Sequence, residues 1–238
     1  MKASARDRRG KNGSFPQAAV WLPALMLAAA LSSCSPDSGH PPGSAADSLA
    51  ILNENALHRA EVDSFFRFDD DSPFRRDTTI RFEGLKWFPV NPRFRVTSAL
   101  NRYEQPETVT VMGTKGEERR QLRYGYFAFK LPDEQGAVRP LRINVYKFTP
   151  SDSLRYLRYR DNLSVWFRDR TSGRDTYLVG RYVEVGNENP DPRHEYVLDF
   201  NKAYNPYCAY SAMYSCAVPR KDDSLDIALH VGEMKYHD

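Results

Sequence analysis

The sequence predicts a mainly β fold, an antiparallel barrel or sandwich that begins with one N-terminal helix. Three observations support this fold class. Apolar residues recur at roughly helical spacing over residues 48–66, they alternate with other residues in most runs after residue 94, and glycine and proline separate those runs. No repeat with a period of roughly 20–50 residues is visible, so we exclude a propeller or a solenoid.

The helix is the first element of the predicted domain. Ser48 is suited to cap its start, because a serine oxygen accepts a hydrogen bond from a free N–H of the first turn. The acidic run at residues 69–73, which ends in a proline, terminates the helix. We interpret its aspartates as a solvated helix end. A calcium loop is the less favoured alternative, because no glycine or glutamate follows at the required spacing.

Short runs with a period of two residues predict the strands. Residues 121–131 and 141–148 are expected to pair across a loop that contains glycine and proline. Residues 176–185 and 195–200 are expected to form a second hairpin around Pro190. The full set of predicted strands is 94–100, 109–111, 121–131, 141–148, 164–168, 176–185, 195–200 and 225–231.

Composition excludes several classes of protein. The chain has 238 residues, of which 41% are hydrophobic and 27% charged, unlike a disordered chain, a collagen or a multi-span membrane protein. The net charge is +3, but residues 1–33 hold five basic residues and one acidic residue, so the remainder carries −1. We expect no nucleic-acid partner, because binding to a phosphate backbone requires many net cations.

The N-terminus predicts a bacterial lipoprotein. A basic stretch precedes an apolar run at residues 18–31, which is too short to span a bilayer comfortably. Leu31-Ser32-Ser33-Cys34 follows and resembles a bacterial lipobox. That resemblance implies cleavage before Cys34 and acylation, as with palmitate, of the new N-terminal cysteine. An ordinary secretory signal with an incidental cysteine is the alternative.

The leader divides the chain into three parts. Residues 1–33 are the predicted lipoprotein signal peptide, and residues 34–47 form a flexible tether that is rich in serine, proline and glycine. Residues 48–238 form a single β-rich domain. We expect the protein in the cell envelope, held on a membrane by its lipid and facing outside the cytoplasm.

Four segments carry a distinctive motif pattern, namely 82–96, 167–185, 198–210 and 214–236. In this order they resemble the bacterial family called domain of unknown function 1684, and the resemblance covers residues 45–237. The chain departs from the family pattern at residues 216–220, which read CAVPR where the family has a cysteine followed by Pro-Leu-Pro-Pro. The resemblance assigns no activity, so the catalytic residues are unknown and no cofactor is expected.

Cys208 and Cys216 are the two cysteines of the predicted domain. Outside the cytoplasm thiols oxidise, so we predict a disulfide that closes a loop of about nine residues. Two alternatives stay open. One is a metal site with His194, which lacks any C-x-x-C spacing, and the other is a cysteine nucleophile acting with His194 and Asp199. We favour the disulfide and expect no metal.

Arg181 stands out because it shares a predicted strand face with Val179 and Val183. A buried guanidinium needs a carboxylate, since an unpaired buried charge is very costly. A hairpin folded about Pro190 places Asp199 opposite Arg181, which predicts an ion pair between them. The alternative is an arginine that points to solvent at the rim of a barrel.

These observations favour a binding or structural module over an enzyme. The expected partners are the membrane, through the lipid, and a small molecule or another envelope protein. The alternative is a hydrolase or redox enzyme that uses the region of Arg181, Asp199 and Cys208. The candidate binding residues come from the tyrosine-, asparagine- and arginine-rich motif segments and are Arg181, Asp199, Asn201, Tyr204, Asn205 and Tyr207.

Overall fold

The computed structural model describes residues 45–237. The predicted signal peptide, the tether up to residue 44 and the lipidation site Cys34 lie outside the described residues. The helices are α1 (Ala45–Phe68), α2 (Pro73–Arg76) and α3 (Ser153–Tyr159). The strands are β1 (Arg95–Ala99), β2 (Asn101–Met112), β3 (Glu118–Pro132), β4 (Val138–Phe148), β5 (Asn162–Phe167), β6 (Arg181–Asn187) and β7 (Glu195–Asp199).

The strands form two antiparallel sheets. The larger sheet has the order β2-β3-β4-β5-β6, and the smaller one pairs β1 with β7. No strand pairing closes either sheet on itself within residues 45–237, so the fold is sandwich-like and the barrel alternative is wrong.

The main core forms where β1 and β7 pack with one face of β3, β4, β5 and β6. It is almost entirely apolar, and its largest fully buried apolar side chains are Phe127, Phe167, Phe200, Leu131, Ile143, Leu163, Leu198, Ile227 and Leu229. Burial of that much apolar surface is the principal stabilising contribution to such a domain.

The predicted helix is confirmed, but it begins at Ala45, so Ser48 lies inside it and does not cap its start. Part of its predicted apolar face is also exposed. Leu49, Leu52 and Leu57 are exposed. The helix instead contacts the domain through Asn55, which is buried, and through Phe66, whose ring lies 5.2 Å from that of Tyr210. Glu54 and Arg59 add further polar contacts, to Arg95 and Lys202 and to Phe88 O. The attachment of the helix therefore rests on polar contacts and an aromatic cluster, which helical spacing of leucines does not reveal.

The predicted pairing of residues 121–131 with 141–148 is confirmed as the β3–β4 hairpin. The register shifts by one residue between Arg123 and Gly125, where β3 carries a bulge. Gly125 is required there because a Cβ at this position would lie 2.5 Å from the carbonyl oxygen of Asn101. Because of the bulge, the β3 residues before it point to the sheet face opposite to the one that simple alternation predicts.

The predicted strand at 176–185 is too long. Residues 171–180 form turns with one isolated bridge, between Ser172 and Thr176, and β6 begins only at Arg181. Gly180 has φ +127°, and a Cβ there would meet the carbonyl oxygen of Phe167 at 2.5 Å. This backbone conformation interrupts the extended run, so the alternation read through it spans a turn and a strand.

The predicted hairpin between 176–185 and 195–200 is also wrong. β6 pairs with β5, where Phe167 faces Arg181, and β7 pairs with β1, where Arg95 faces Asp199. Arg181 and Asp199 therefore lie in different sheets. Alternation identifies the residues that share a face, but it does not identify the neighbouring strand.

The last predicted strand, 225–231, has no ladder of hydrogen bonds. Its alternation is real, because Leu225, Ile227, Leu229 and Val231 are all buried. The segment is bound to a turn by single hydrogen bonds, such as Leu225 N to Arg168 O at 2.8 Å. It packs as an extended chain without a strand partner.

Candidate functional site

Arg181, the first of the predicted binding residues, is a buried structural cation. It is 1% exposed, and its Nη2 lies 2.8 Å from Oδ2 of Asp169, which is the actual partner in place of Asp199. The same guanidinium donates to the carbonyl oxygens of Leu229, Val231 and Glu233. Burial lowers the pKa of Arg181, and Asp169 opposes that shift. The arginine thus fixes the 229–233 segment against β6.

Asp199 and Asn201 form a second buried polar cluster. Asp199 accepts hydrogen bonds from Asn201 N at 3.0 Å and from Asn55 Nδ2 of α1 at 3.1 Å. Asn201 in turn binds both backbone groups of Asn91. Asp199 also borders a polar cleft of about 390 Å³ that Arg95, among others, lines. These contacts join α1, β7 and the loop before β1.

Asn205 belongs to a third cluster, around Glu233. Glu233 is 1% exposed and accepts from Asn205 N at 3.0 Å, Asn205 Nδ2 at 2.8 Å and Tyr210 Oη at 2.6 Å. Burial raises the pKa of Glu233 to about 7, although its hydrogen bonds and Arg181 act in the opposite direction. Gly232 precedes it at φ +78°.

The remaining two candidates, Tyr204 and Tyr207, lie in a different place. They line a cavity of about 500 Å³ on the face of the larger sheet opposite the main core. Strands β3, β4, β5 and β6, helix α3 and the 204–217 segment supply its walls. Its principal lining residues are Gln121, Trp166, Tyr182, Tyr204, Tyr207 and Cys216.

Strand alternation explains why Arg181 and the cavity residues lie on opposite faces of the larger sheet. Residues paired directly across an antiparallel ladder point to the same face. Trp166 pairs with Tyr182 and lines the cavity, whereas the adjacent pair Phe167 and Arg181 is buried on the core side. Arg181 therefore contributes to the scaffold behind the cavity.

Aromatic rings form most of one cavity wall. Trp166 is stacked on Tyr146 with a centroid distance of 4.6 Å and an interplanar angle of 14°. Tyr182 packs against Trp166 and Tyr204, with centroids 5.8 and 5.9 Å apart. The hydroxyl of Tyr182 donates to Ala217 O at 2.7 Å, which fixes this ring. Such a wall suits a flat or ring-containing ligand.

Two polar groups of the lining residues have no hydrogen-bond partner among the described residues. They are Oε1 of Gln121, an acceptor, and Nε1 of Trp166, a donor. Both side chains are deeply buried, at 3% and 4% exposure. A buried unpaired polar group costs about 1–3 kcal/mol, so it is rarely retained without a use.

Two arginines stand at the edge of the cavity, and both are already paired. Arg119 Nη2 donates to Ser215 O at 2.7 Å and pairs with Glu117 at 2.5 Å. Arg155 of α3 pairs with Asp152 at 2.8 Å. Hydrogen bonding by Ser215 and Arg119 lowers the pKa of Glu117 to about 2.

Cys208 and Cys216 are brought together, and both are free thiols in the structure. Cys208 N donates to Sγ of Cys216 at 3.2 Å. The hydrogen bond between the two thiols, more than any other contact, lowers the pKa of Cys208 to about 7 and raises that of Cys216. Cys216 lines the cavity.

The described lining includes no histidine, and His194, the predicted partner of a cysteine nucleophile, lines the separate polar cleft instead. Residues 45–237 contain no cluster of three or more histidine, cysteine or acidic residues that could hold a metal ion. Within the same residues no helix is both long and apolar enough to cross a membrane.

Sequence reasoning missed Gln121 and Trp166. Both fall inside correctly predicted strands, where Gln121 has the same odd-numbered parity as the core residue Phe127. The bulge between Arg123 and Gly125 moves Gln121 to the cavity face. The sequence did hold one sign of this shift: Gln121 is polar at a position where the alternation of the strand calls for an apolar residue.

Comparisons with known proteins agree with the fold. The family model described as "Protein of unknown function (DUF1684)" matches residues 80–234. The solution NMR structure of an uncharacterised protein from gene locus rrnAC0354 of Haloarcula marismortui is similar, with 31% identity and a TM-score of 0.53. The match covers 79% of this chain and 96% of that one. No curated protein matches the chain.

Proposed function

The chain belongs to the DUF1684 family, and from this premise we propose that it is a lipid-anchored binding module of the bacterial envelope. Its ligand is a small molecule held in the aromatic cavity. The observation that carries the proposal is the ring-lined cavity of about 500 Å³, beside which Gln121 Oε1 and Trp166 Nε1 are buried without a partner.

The cavity specifies the chemistry of the ligand. Its ring-lined wall favours a flat, ring-containing molecule, because aromatic groups pack well by offset or edge-to-face contact. Such a ligand would offer a donor to Gln121 and an acceptor to Trp166. The volume of about 500 Å³ is in the range of roughly 300–1,000 Å³ typical of small-molecule sites.

The anchor rests on the leader. The lipobox-like Leu31-Ser32-Ser33-Cys34 follows an apolar run, and the tether separates it from the domain. Acyl chains contribute about 0.8 kcal/mol per buried methylene, so two or more chains hold a protein stably on a membrane. Outside the cytoplasm we further propose that Cys208 and Cys216 form a disulfide, which their contact supports.

Binding of 1-anilinonaphthalene-8-sulfonate, a ring-containing fluorescent probe, tests the cavity. We expect one saturable site. Ser164→Trp should abolish it, because Ser164 lines the cavity and a larger side chain fills the space. Ser64→Trp is the matched control, since Ser64 is exposed on α1, and it should bind the probe like the wild type.

Gln121→Met separates binding from folding. It removes an acceptor that has no partner, so the free energy of unfolding should stay equal or increase. Affinity for a ligand that donates to this group should fall about tenfold, equivalent to roughly 1.4 kcal/mol. Gln135→Met, in an exposed turn, is the control. Probe binding that survives Ser164→Trp unchanged would refute the cavity as the site.

A further inference from the structure

Cys208 and Cys216 lie where a chemical step is feasible as well as a structural crosslink. They are eight residues apart, yet the Cys208 N–H donates to the Cys216 sulfur at 3.2 Å. Cys216 forms part of the cavity wall, and both side chains are only partly buried. A thiol pair at the wall of a cavity is accessible to a small molecule in a way that a core disulfide is not.

Hydroxyl groups surround the Cys208 end of the pair. The hydroxyl of Tyr177 donates to Cys208 O at 3.3 Å and lies 3.9 Å from its sulfur. The hydroxyl of Thr114 accepts from Cys216 N at 3.2 Å. Hydrogen bonds from Cys216, Thr114 and Tyr177 all favour the ionised form of Cys208, and its pKa falls to about 7. One proton is therefore shared between the two sulfurs near neutral pH.

We propose that the Cys208–Cys216 pair is a thiol–disulfide exchange site whose substrates are low-molecular-weight disulfides and thiols that enter through the cavity. The site uses the same cavity as the proposed binding function, but it does not depend on the polar groups of Gln121 and Trp166. The two cysteines rather than the ring-lined wall carry the chemistry.

The exchange proceeds in two displacements. The Cys208 thiolate acts as a base and takes the proton of Cys216 while the Cys216 sulfur attacks one sulfur of the bound disulfide, whose S–S bond breaks. The first thiolate leaves and takes the proton from Cys208, and a mixed disulfide remains on Cys216. The Cys208 sulfur then attacks the Cys216 sulfur and expels the second thiolate. The cysteine pair is oxidised to a disulfide, and the substrate disulfide gains two electrons and leaves as one thiol and one thiolate, because the pair supplies a single proton.

Equilibration of the full-length protein in detergent with glutathione redox buffers tests the proposal. After acid quenching and alkylation, peptide mass spectrometry reports the state of Cys208 and Cys216 separately from Cys34. We expect the pair to change from disulfide to dithiol within the range of glutathione ratios. A bond that never reduces, or thiols that never oxidise, would overturn the proposal.

Single variants identify the two roles. With hydroxyethyl disulfide, Cys208→Ser should trap a mixed disulfide on Cys216, because the resolving sulfur is gone. Cys216→Ser should react at least about tenfold more slowly than the wild type, because the remaining thiol is set back from the cavity. Equal behaviour of both variants would contradict the assignment.

A measurement on the wild type covers the case in which a variant fails to fold. Iodoacetamide should alkylate Cys208 with a midpoint near pH 7, the position of its pKa, whereas unperturbed thiols give about pH 8.5. A midpoint at the ordinary value would refute the shared proton. Ser164→Trp should abolish probe binding and also slow exchange, because the substrates enter through the same cavity, and unimpaired exchange in this variant would contradict the proposal. Gln121→Met should leave exchange intact, which separates a failure of the exchange site from a failure of the proposed binding function.

Discussion

At the scale of single residues, the buried charge of Arg181 is paired with a different carboxylate from the one that was predicted. The prediction that Arg181 is buried on an apolar face and needs a carboxylate is correct, yet the carboxylate is Asp169. Asp169 lies in the turn that follows β5, and its Oδ1 accepts from Thr171 N at 2.6 Å. Alternation within strands carries no information about a turn residue, so the sequence required an ion pair without identifying it.

A double-mutant cycle distinguishes the two carboxylates. Asp169→Asn and Arg181→Met should each destabilise by about 3–5 kcal/mol, because each leaves a buried charge without its partner. The double variant should recover part of that loss in urea unfolding. The cycle of Arg181→Met with Asp199→Asn is the control, and its coupling should be near zero. Equal coupling to both aspartates would contradict the structure.

Glu233 predicts a pH dependence of stability. Burial raises its pKa in the folded protein to about 7 from 4.5. The folded state thus holds the proton of Glu233 more tightly than the unfolded state does. The resulting contribution to the free energy of unfolding is fully present below pH 4.5 and is lost as the pH rises through 7. The advantage of wild type over Glu233→Gln should therefore be larger at about pH 5 than at about pH 8, by up to about 3 kcal/mol. A difference that is the same at both pH values, measured by urea unfolding, would show that Glu233 does not titrate in this range.

At the scale of elements, local pairings follow from the sequence and distant pairings do not. The β3–β4 hairpin joins neighbouring runs and was predicted correctly. The β1–β7 pair joins strands about a hundred residues apart, and nothing in either run identifies the other. The single bulge in β3 also changes the face of Gln121, which concealed one side of the candidate site. Tyr204 and Tyr207 were found because they lie in a motif segment outside any strand.

Gly232 tests the close packing of the segment that carries Glu233. It has φ +78°, and a Cβ there would lie 2.7 Å from Ala203 O and 2.8 Å from Phe200 O. Gly232→Ala should destabilise by about 2 kcal/mol or more, from the backbone conformation and the contact together. Gly136→Ala is the matched control, because φ is +83° with no atom within 4 Å of the added Cβ. It should lose about 1 kcal/mol, and equal losses in thermal unfolding would contradict the packing argument.

At the scale of the whole molecule, the motif segments that resemble the family have divided roles. Arg181, Asp199, Asn201 and Asn205 hold turns and sheets together, while Tyr204, Tyr207 and Cys216 line the cavity. Strong motifs therefore mark the scaffold as much as the site. This division explains why the candidate residues taken from the family pattern lie partly in the scaffold and partly at the cavity.

The anchor is the remaining prediction at this scale, and Cys34 decides it. Cys34→Ala removes the only sulfur that the lipobox-like sequence offers for acylation, so the chain should lose palmitate labelling and its partition into detergent. Cys208→Ala is the matched control, because it removes a cysteine of the domain and should keep both properties. If Cys34→Ala still labels with palmitate and partitions into detergent, the lipobox interpretation is wrong and another part of the chain holds the protein at the membrane. If labelling disappears but the protein stays on membranes, lipidation at Cys34 is correct and the exposed leucines of α1 and α3 become the next residues to test.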